Sequence, residues 1–294
     1  AHPVDLWVAR LDGDTISPWS RVTGLHPQTE EWSLGAVRTL RWSASDGTPV
    51  QGLLALPPGH DDGARLPLVV LVHGGPAFLQ PYAFSLDIVH WVRLLTAQGL
   101  AVLLPNPRGS SGWGTTFTEA NLGDMGGADF GDIMAGVDHA VDSGVADAGR
   151  LGIGGFSYGG FMAAWAVTQT DRFKASVMFG GIADWRSFHG GGPVPTWDAL
   201  AYGPLGRPAD PYDPAGPHTR FSPLTYSERT RTPTLILCGE GDSSQGYQFF
   251  RALKDRGTEV EMTVYPREGH GIRERAHVRD MDRRVVDWFA QHLR

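Results

Sequence analysis

Leu151-Gly152-Ile153-Gly154-Gly155-Phe156-Ser157-Tyr158-Gly159-Gly160-Phe161-Met162 opens as a short apolar run, the pattern of a buried strand. It turns through Gly155-x-Ser157-x-Gly159 and continues as a helix-like segment from Phe161 to Gln169. A chain that passes this abruptly from strand to helix presents the turn residue at the strand's end, with a helix N-terminus behind it. Glycines flank such a residue because side chains there would collide with neighbouring backbone. A bare G-x-S-x-G is weak, and the plain alternative is a Gly-rich turn with a surface serine. The strand before, the helix after and the doubled glycine on each side make Ser157 a specific candidate nucleophile.

The same alternation extends outward. Leu66 to Val72 and Leu100 to Leu104 are continuous apolar runs, as expected of strands buried on both faces. Lys174 to Phe179, Thr234 to Cys238 and Glu259 to Tyr265 repeat the pattern. Ser85 to Gln98, with Ile88, Val92 and Leu95 on one stripe, reads as a helix, as do Asp129 to Val141, Gln245 to Asp255 and about Arg273 to Leu293. Val37 to Ser43 and Pro49 to Leu56, joined by Ser45-Asp46-Gly47-Thr48, form a hairpin. Strands alternating with helices predict a mostly parallel sheet covered on both faces. An antiparallel hairpin at its N-terminal edge fits an α/β-hydrolase fold over residues 36–294. In such sheets chemistry sits beyond the carboxyl ends of the strands. Ser157, His73-Gly74-Gly75, the Arg108 loop, Glu240, Asp242 and the His270 loop all fall there.

Two regions depart from this order. Gly181 to about Arg231 has little periodicity and many Pro and Gly residues, as expected of a lid or pocket wall. Residues 1–35 read as an appendage: Leu6 to Leu11, Asp12-Gly13-Asp14 and Thr15 to Trp19 make one short hairpin. A lone hairpin is marginal in water, so it should pack on its own domain or on a β-rich module outside this chain.

Composition narrows the function. The 294 residues are 41% hydrophobic, ample for one large core, and carry a net charge of −7 with no basic run, which argues against nucleic acid. The apolar runs are too short to span a bilayer, so no membrane partner is expected. Cys238 is the sole cysteine and sits in an apolar run, a core position with no internal disulfide partner. No secretory leader is visible at Ala1-His2-Pro3-Val4, which favours a cytoplasmic protein; the start without methionine suggests a processed or truncated product. There is no H-E-x-x-H, no Cys/His cluster at zinc spacing and no separate phosphate loop, so neither a metal nor another cofactor is expected.

A serine hydroxyl needs a base, and the base needs an orienting carboxylate. His270, in Tyr265-Pro266-Arg267-Glu268-Gly269-His270-Gly271, follows the last strand and precedes the last helix, the position of a catalytic base. His189 and His218 lie in the irregular region and are candidates only for ligand contact. Gly239-Glu240-Gly241-Asp242 offers two carboxylates. Asp242 is the preferred acid, at the head of a turn into a helix; alternatively it merely caps that helix and Glu240 is the acid. Asp184 is a third candidate. Acyl transfer also needs donors for the developing oxyanion. The backbone N–H of Tyr158 is one, and that of Gly75, in His73-Gly74-Gly75-Pro76, is the expected second; a simple strand-ending turn is the alternative for the latter. Phe78, Tyr158, Trp185 and Phe188 are candidates for an apolar substrate pocket or, equally, for plain core.

These motifs, together with Asn106-Pro107-Arg108-Gly109-Ser110-Ser111-Gly112-Trp113-Gly114 and Ser222-Pro223-Leu224, resemble the catalytic domain of the prolyl oligopeptidase family of serine peptidases. The similarity is closest to the acylaminoacyl-peptidase and dipeptidyl-aminopeptidase branch and runs from about residue 36 to the end. The resemblance implies an α/β-hydrolase that cleaves short peptides with Ser157, Asp242 and His270, and with Gly75 and Tyr158 as oxyanion donors. It also implies an N-terminal β-propeller, of which residues 1–35 would be the last hairpin, so that the chain is one fragment of a longer precursor and a missing propeller segment is its partner. The family's Arg-Val-Pro stretch after the acid is replaced here by Ser243-Ser244-Gln245-Gly246-Tyr247. Expected substrates are short peptides or acylated or aminoacyl amides; an esterase, thioesterase or amide hydrolase of a specialised metabolite is the alternative. A non-catalytic scaffold is disfavoured by the intact Ser157 and His270, and a homo-oligomer is left open.

Overall fold

The computed structural model describes residues 5–60, 63–81, 91–192, 194, 196–204 and 207–294. Four two-residue strands come first: β1 (Trp7–Val8), β2 (Leu11–Asp12), β3 (Thr15–Ile16) and β4 (Ser20–Arg21). β2 pairs with β3 and β1 with β4, both antiparallel, so they form one nested arm. Its base is stitched by Asp5, which accepts hydrogen bonds from Arg21, Thr23 and the Leu25 N–H at 2.7–2.9 Å. The arm's apolar side chains stay in solvent, with Leu11 74% and Trp19 64% exposed.

The remaining strands form one sheet: β5 (Val37–Ser43), β6 (Pro49–Ala55), β7 (Leu66–Val72), β8 (Ala101–Asn106), β9 (Ala146–Phe156), β10 (Phe173–Phe179), β11 (Thr234–Gly239) and β12 (Val260–Tyr265). Their spatial order is β12-β11-β10-β9-β7-β8-β6-β5. From β12 to β8 neighbours are parallel; β6 runs antiparallel to β8, and β5 to β6. The fold is an α/β-hydrolase, and the strands of this sheet read from the sequence are present within two residues of their expected ends, except that β9 begins at Ala146, five residues before the expected Leu151.

The helices are α1 (Trp91–Ala97), α2 (Thr115–Thr118), α3 (Ala128–Asp142), α4 (Tyr158–Gln169), α5 (Trp185–Gly191), α6 (Trp197–Tyr202), α7 (Pro217–Arg220), α8 (Ser244–Asp255) and α9 (Arg275–Leu293). Of the helix expected over Ser85–Gln98, the part with Ile88 lies outside the described residues. α3, α4 and α8 bury Ile133, Val137, Phe161 and Phe249 on one face of the sheet. α1 and α9 bury Leu95, Val285, Trp288 and Phe289 on the other. Every residue from Tyr158 to Thr168 in α4 is buried, which is why this helix reads as apolar all round rather than amphipathic. Gly152 in β9 admits α9: a Cβ there would stand 2.8 Å from the Phe289 ring. Cys238 is buried in β11, and burial pushes its thiol up to about 12.

Candidate active site

Ser157 occupies the turn between β9 and α4 with φ 61° and ψ −119°, outside the regions a side-chain-bearing residue ordinarily adopts. Its N–H donates to the Phe179 carbonyl at 2.9 Å, and its carbonyl accepts from the Phe161 N–H, so both neighbouring elements hold the strained turn. The motif glycines are required by space. A Cβ on Gly155 would stand 2.5 Å from the Val72 carbonyl oxygen, and one on Gly159 only 1.9 Å from it.

The structure brings His270 and Asp242 to this serine. Ser157 Oγ lies 2.9 Å from His270 Nε2, and His270 Nδ1 lies 2.6 Å from Asp242 Oδ2. With its proton on Nδ1 donated to the carboxylate, the ring presents a lone pair at Nε2 to the serine hydroxyl. The imidazole lies against Phe156, tilted by 34° at 4.7 Å between ring centres, and its side chain remains 48% exposed.

The other two carboxylates have different work. Glu240 accepts from the Arg267 N–H at 3.0 Å and so ties the acid turn to the histidine loop. Asp184 is the N-cap of α5, accepting from the Arg186 N–H at 3.0 Å. The histidine loop has a further support that the sequence did not flag. Glu268 is buried and accepts from the Arg273 and Glu274 N–H groups and from His277 Nδ1 at 2.8–3.0 Å. Burial opposes its ionisation, but these donors outweigh it and hold the carboxyl below its usual range.

The His73-Gly74-Gly75-Pro76 turn faces Ser157, with a Cβ on Gly74 falling 3.3 Å from Ser157 Cβ. Gly75 has φ +119°, and a Cβ there would stand 2.5 Å from the Ala77 nitrogen. Tyr158 begins α4, so its N–H has no acceptor within the helix. The turn is pinned from behind. His73 bonds the Gly74 carbonyl through Nδ1 at 2.8 Å, its Nε2 meets Ser110 Oγ at 2.9 Å, and burial holds the ring's pKa below the ordinary histidine value. Arg108 donates to both Asp132 and Asp46 at 2.7–3.2 Å, fixing the loop that carries Ser110. The Tyr158 phenol donates a short hydrogen bond to the buried Asp129, anchoring the start of α4 in the core.

A cavity of about 290 Å³ opens beside Ser157, between Gly75, Gly180, Gly181, Asp242 and His270, with apolar walls of Tyr158, Ile182, Phe188, Val194 and Trp197. Tyr158 and Phe188 are thus placed where the sequence suggested. Trp185 is not: it is fully buried beneath the wall, its ring 5.6 Å from Phe188 and 6.1 Å from Trp197. The indole at the N-terminus of α5 packs inward against the rings of Phe161 in α4 and Tyr202 in α6, and it supports the wall instead of forming it. Phe78 is not a wall residue either; its side chain is 66% exposed, while its carbonyl accepts from the Ser111 N–H at 3.0 Å. His189 and His218 line no part of the cavity. Ile182, Val194 and Trp197 were missed because the Gly181–Arg231 region carries no period to show which side chains converge. It holds α5, α6 and α7. Gln245 was missed as well. It reaches from α8 to accept from the Ala183 and Asp184 N–H groups and to donate to Ser187 Oγ, at 2.9–3.0 Å, clamping the wall to the acid-bearing end of the sheet.

A parallel sheet whose central strand ends in a serine elbow, with histidine and carboxylate in hydrogen-bonded series, defines the chain as an α/β-hydrolase. It belongs to the prolyl oligopeptidase family, whose pattern matches residues 85–294. It is 35% identical to the uncharacterized peptidase YuxL of Bacillus subtilis over 93% of this chain and 42% of that protein. It is 32% identical to an acylamino-acid-releasing enzyme of Arabidopsis thaliana over 72% of this chain and 28% of that protein. Among solved structures, an acylaminoacyl peptidase in complex with Z-Gly-Gly-Phe-chloromethyl ketone superposes with a TM-score of 0.86 at 28% identity, covering 99% of this chain and 46% of that one. The chain therefore spans less than half the length of these relatives. No described helix is long and apolar enough to cross a membrane.

Proposed function

We propose that the chain is the catalytic region of a serine peptidase that cleaves short peptides or acylated or aminoacyl amides through an acyl-enzyme. The observation that carries this reading is the continuous Ser157–His270–Asp242 series, at 2.9 and 2.6 Å, beside a cavity with apolar walls. His270 takes the Ser157 proton as Oγ attacks the scissile carbonyl. Asp242 orients the ring and stabilises the imidazolium. The oxyanion is received by the N–H groups of Gly75 and Tyr158. His270 then gives its proton to the leaving amine, and water repeats the sequence to release the acid. The side chain on the acyl side of the scissile bond enters the cavity against Phe188, Val194 and Trp197. The exposed apolar arm and the greater length of the relatives support a further β-rich segment over residues 5–34.

A fluorophosphonate probe tests the nucleophile. Labelling is expected at Ser157 and absent in Ser157→Ala; a folded protein that takes no label would remove the reading. A panel of acyl-peptide, ester and thioester substrates, compared by kcat/KM, then separates a peptidase from a hydrolase of small-metabolite esters.

A further inference from the structure

Two short helices of the pocket wall, α5 and α6, and the neighbouring α7 bring together His189, Asp198 and His218. His218 Nε2 lies 2.7 Å and His189 Nδ1 3.0 Å from the same oxygen, Asp198 Oδ2, and the three ligand-capable atoms lie within 4.8 Å of one another. Asp198 and His218 are fully buried, while His189 keeps 19% of its side chain in solvent. We propose that these three side chains form a binding site for one divalent transition-metal ion, Zn²⁺ in the first instance, which staples the wall of the cavity.

Two imidazoles and one carboxylate are a zinc donor set, and imidazole nitrogen favours such ions over Mg²⁺ or Ca²⁺. Beyond a backbone N–H at Asp198 itself, the three side chains hydrogen-bond chiefly to one another. Among the described residues, the side-chain donors that reach the Asp198 carboxylate are the two imidazoles. The second grouping of this kind, Glu268, Glu274 and His277, is different, because the Glu268 oxygens already accept two backbone N–H groups. His218 Nδ1 has no hydrogen-bond partner among the described residues. A donor to Nδ1 would lock the ring proton on Nε2. Without one, the proton can reside on Nδ1 and leave the Nε2 lone pair to a cation. The partly open His189 side leaves room for a water as fourth ligand.

The ion has a structural task to perform. α5, α6 and α7 are seven, six and four residues long, too short to persist by their own hydrogen bonds. Phe188 and Trp197, each directly preceding a ligand in sequence, are walls of the cavity. A metal that ties the three helices together thereby fixes the shape of the apolar pocket.

The test strips the full chain with chelator and titrates it with Zn²⁺ by equilibrium dialysis, with thermal unfolding in parallel. One Zn²⁺ per chain is expected in the wild type, and equally in His270→Ala and His277→Ala, which remove two other imidazole–carboxylate pairs. Asp198→Asn and His189→Ala should each lose more than about 100-fold in affinity, since outer partners of ligands alone are worth ~10–100-fold. Zn²⁺ should raise the thermal midpoint of the wild type and not of those two variants. His189 is partly exposed, so its variant tests the site without emptying the core. Folded wild-type protein that takes up no stoichiometric Zn²⁺, or undiminished uptake by both variants, overturns the proposal. Binding is read directly, so the result does not depend on whether Ser157 is the nucleophile.

Discussion

Ser157 concentrates what single residues contribute here: a strained backbone held by two elements, and a hydroxyl 2.9 Å from His270 Nε2. Under the proposed mechanism, Ser157→Ala or His270→Ala should lower kcat by roughly 10⁴–10⁶, and Asp242→Asn by about 10⁴. Glu240→Gln should stay within about tenfold of wild type, because Glu240 meets a backbone N–H and not the imidazole. Steady-state kinetics on one acyl-peptide substrate decides both, and a larger loss at Glu240 than at Asp242 would reassign the acid. Asp129 gives a prediction for stability. Burial, opposed by the hydrogen bond from Tyr158, raises its carboxyl from 3.8 to about 6. Between those values the folded protein keeps a proton that the unfolded chain releases. The contribution is complete below the unfolded value and is lost as pH rises through about 6, an amount of roughly 3 kcal/mol. Urea unfolding of wild type and Asp129→Asn from pH 4 to 7 should show the wild type losing ground by that order as pH rises. A constant difference would show that Asp129 does not titrate in this window.

Elements position what residues perform. The turn from β9 into α4 works only because Gly155 and Gly159 let α4 approach the Val72 carbonyl. Gly159→Ala would place a methyl 1.9 Å from that oxygen. It is expected to destabilise the protein by more than about 3 kcal/mol, or to displace the elbow and abolish fluorophosphonate labelling. Thermal unfolding and labelling of the same sample distinguish these outcomes. Under the proposed function, the wall to which α5 and α6 contribute would set substrate preference. Trp197→Ala removes a large apolar surface from the cavity and should cut kcat/KM about 10–100-fold for substrates with a bulky apolar acyl-side residue, with little change for a glycyl one. Equal losses on both substrates would mean that Trp197 supports the fold and does not select.

At the scale of the whole molecule, the eight-stranded sheet carries a helical layer on each face, and β1 to β4 are not paired with it. β1 to β4 pair among themselves, and Trp7, Leu11, Ile16 and Trp19 remain exposed. Replacing Leu11, Ile16 and Trp19 by threonine should therefore leave the thermal midpoint within a few degrees, as expected of surface changes worth about 0.5 kcal/mol each. It should also reduce self-association measured by light scattering, since contiguous exposed apolar patches drive association. A large drop in midpoint would show that the arm is bound into the core.

The sequence by itself determined the sheet, its order of strands and helices along the chain, and the strand ends that carry Ser157, His270 and the candidate carboxylates. Each of these is written locally, in apolar runs, glycine spacing and turns, and the strand ends of a parallel sheet necessarily share one edge. Tertiary structure alone showed which of Asp242, Glu240 and Asp184 meets the imidazole, because all three stand near strand ends and only the placement of the histidine loop tells them apart. It also turned Trp185 inward and Phe78 outward, and brought Val194 and Trp197 to the cavity. His189, Asp198 and His218 escape any spacing rule for the same reason. They come from three short helices in a region without periodicity, and their proximity arises only when those helices fold over the end of the sheet.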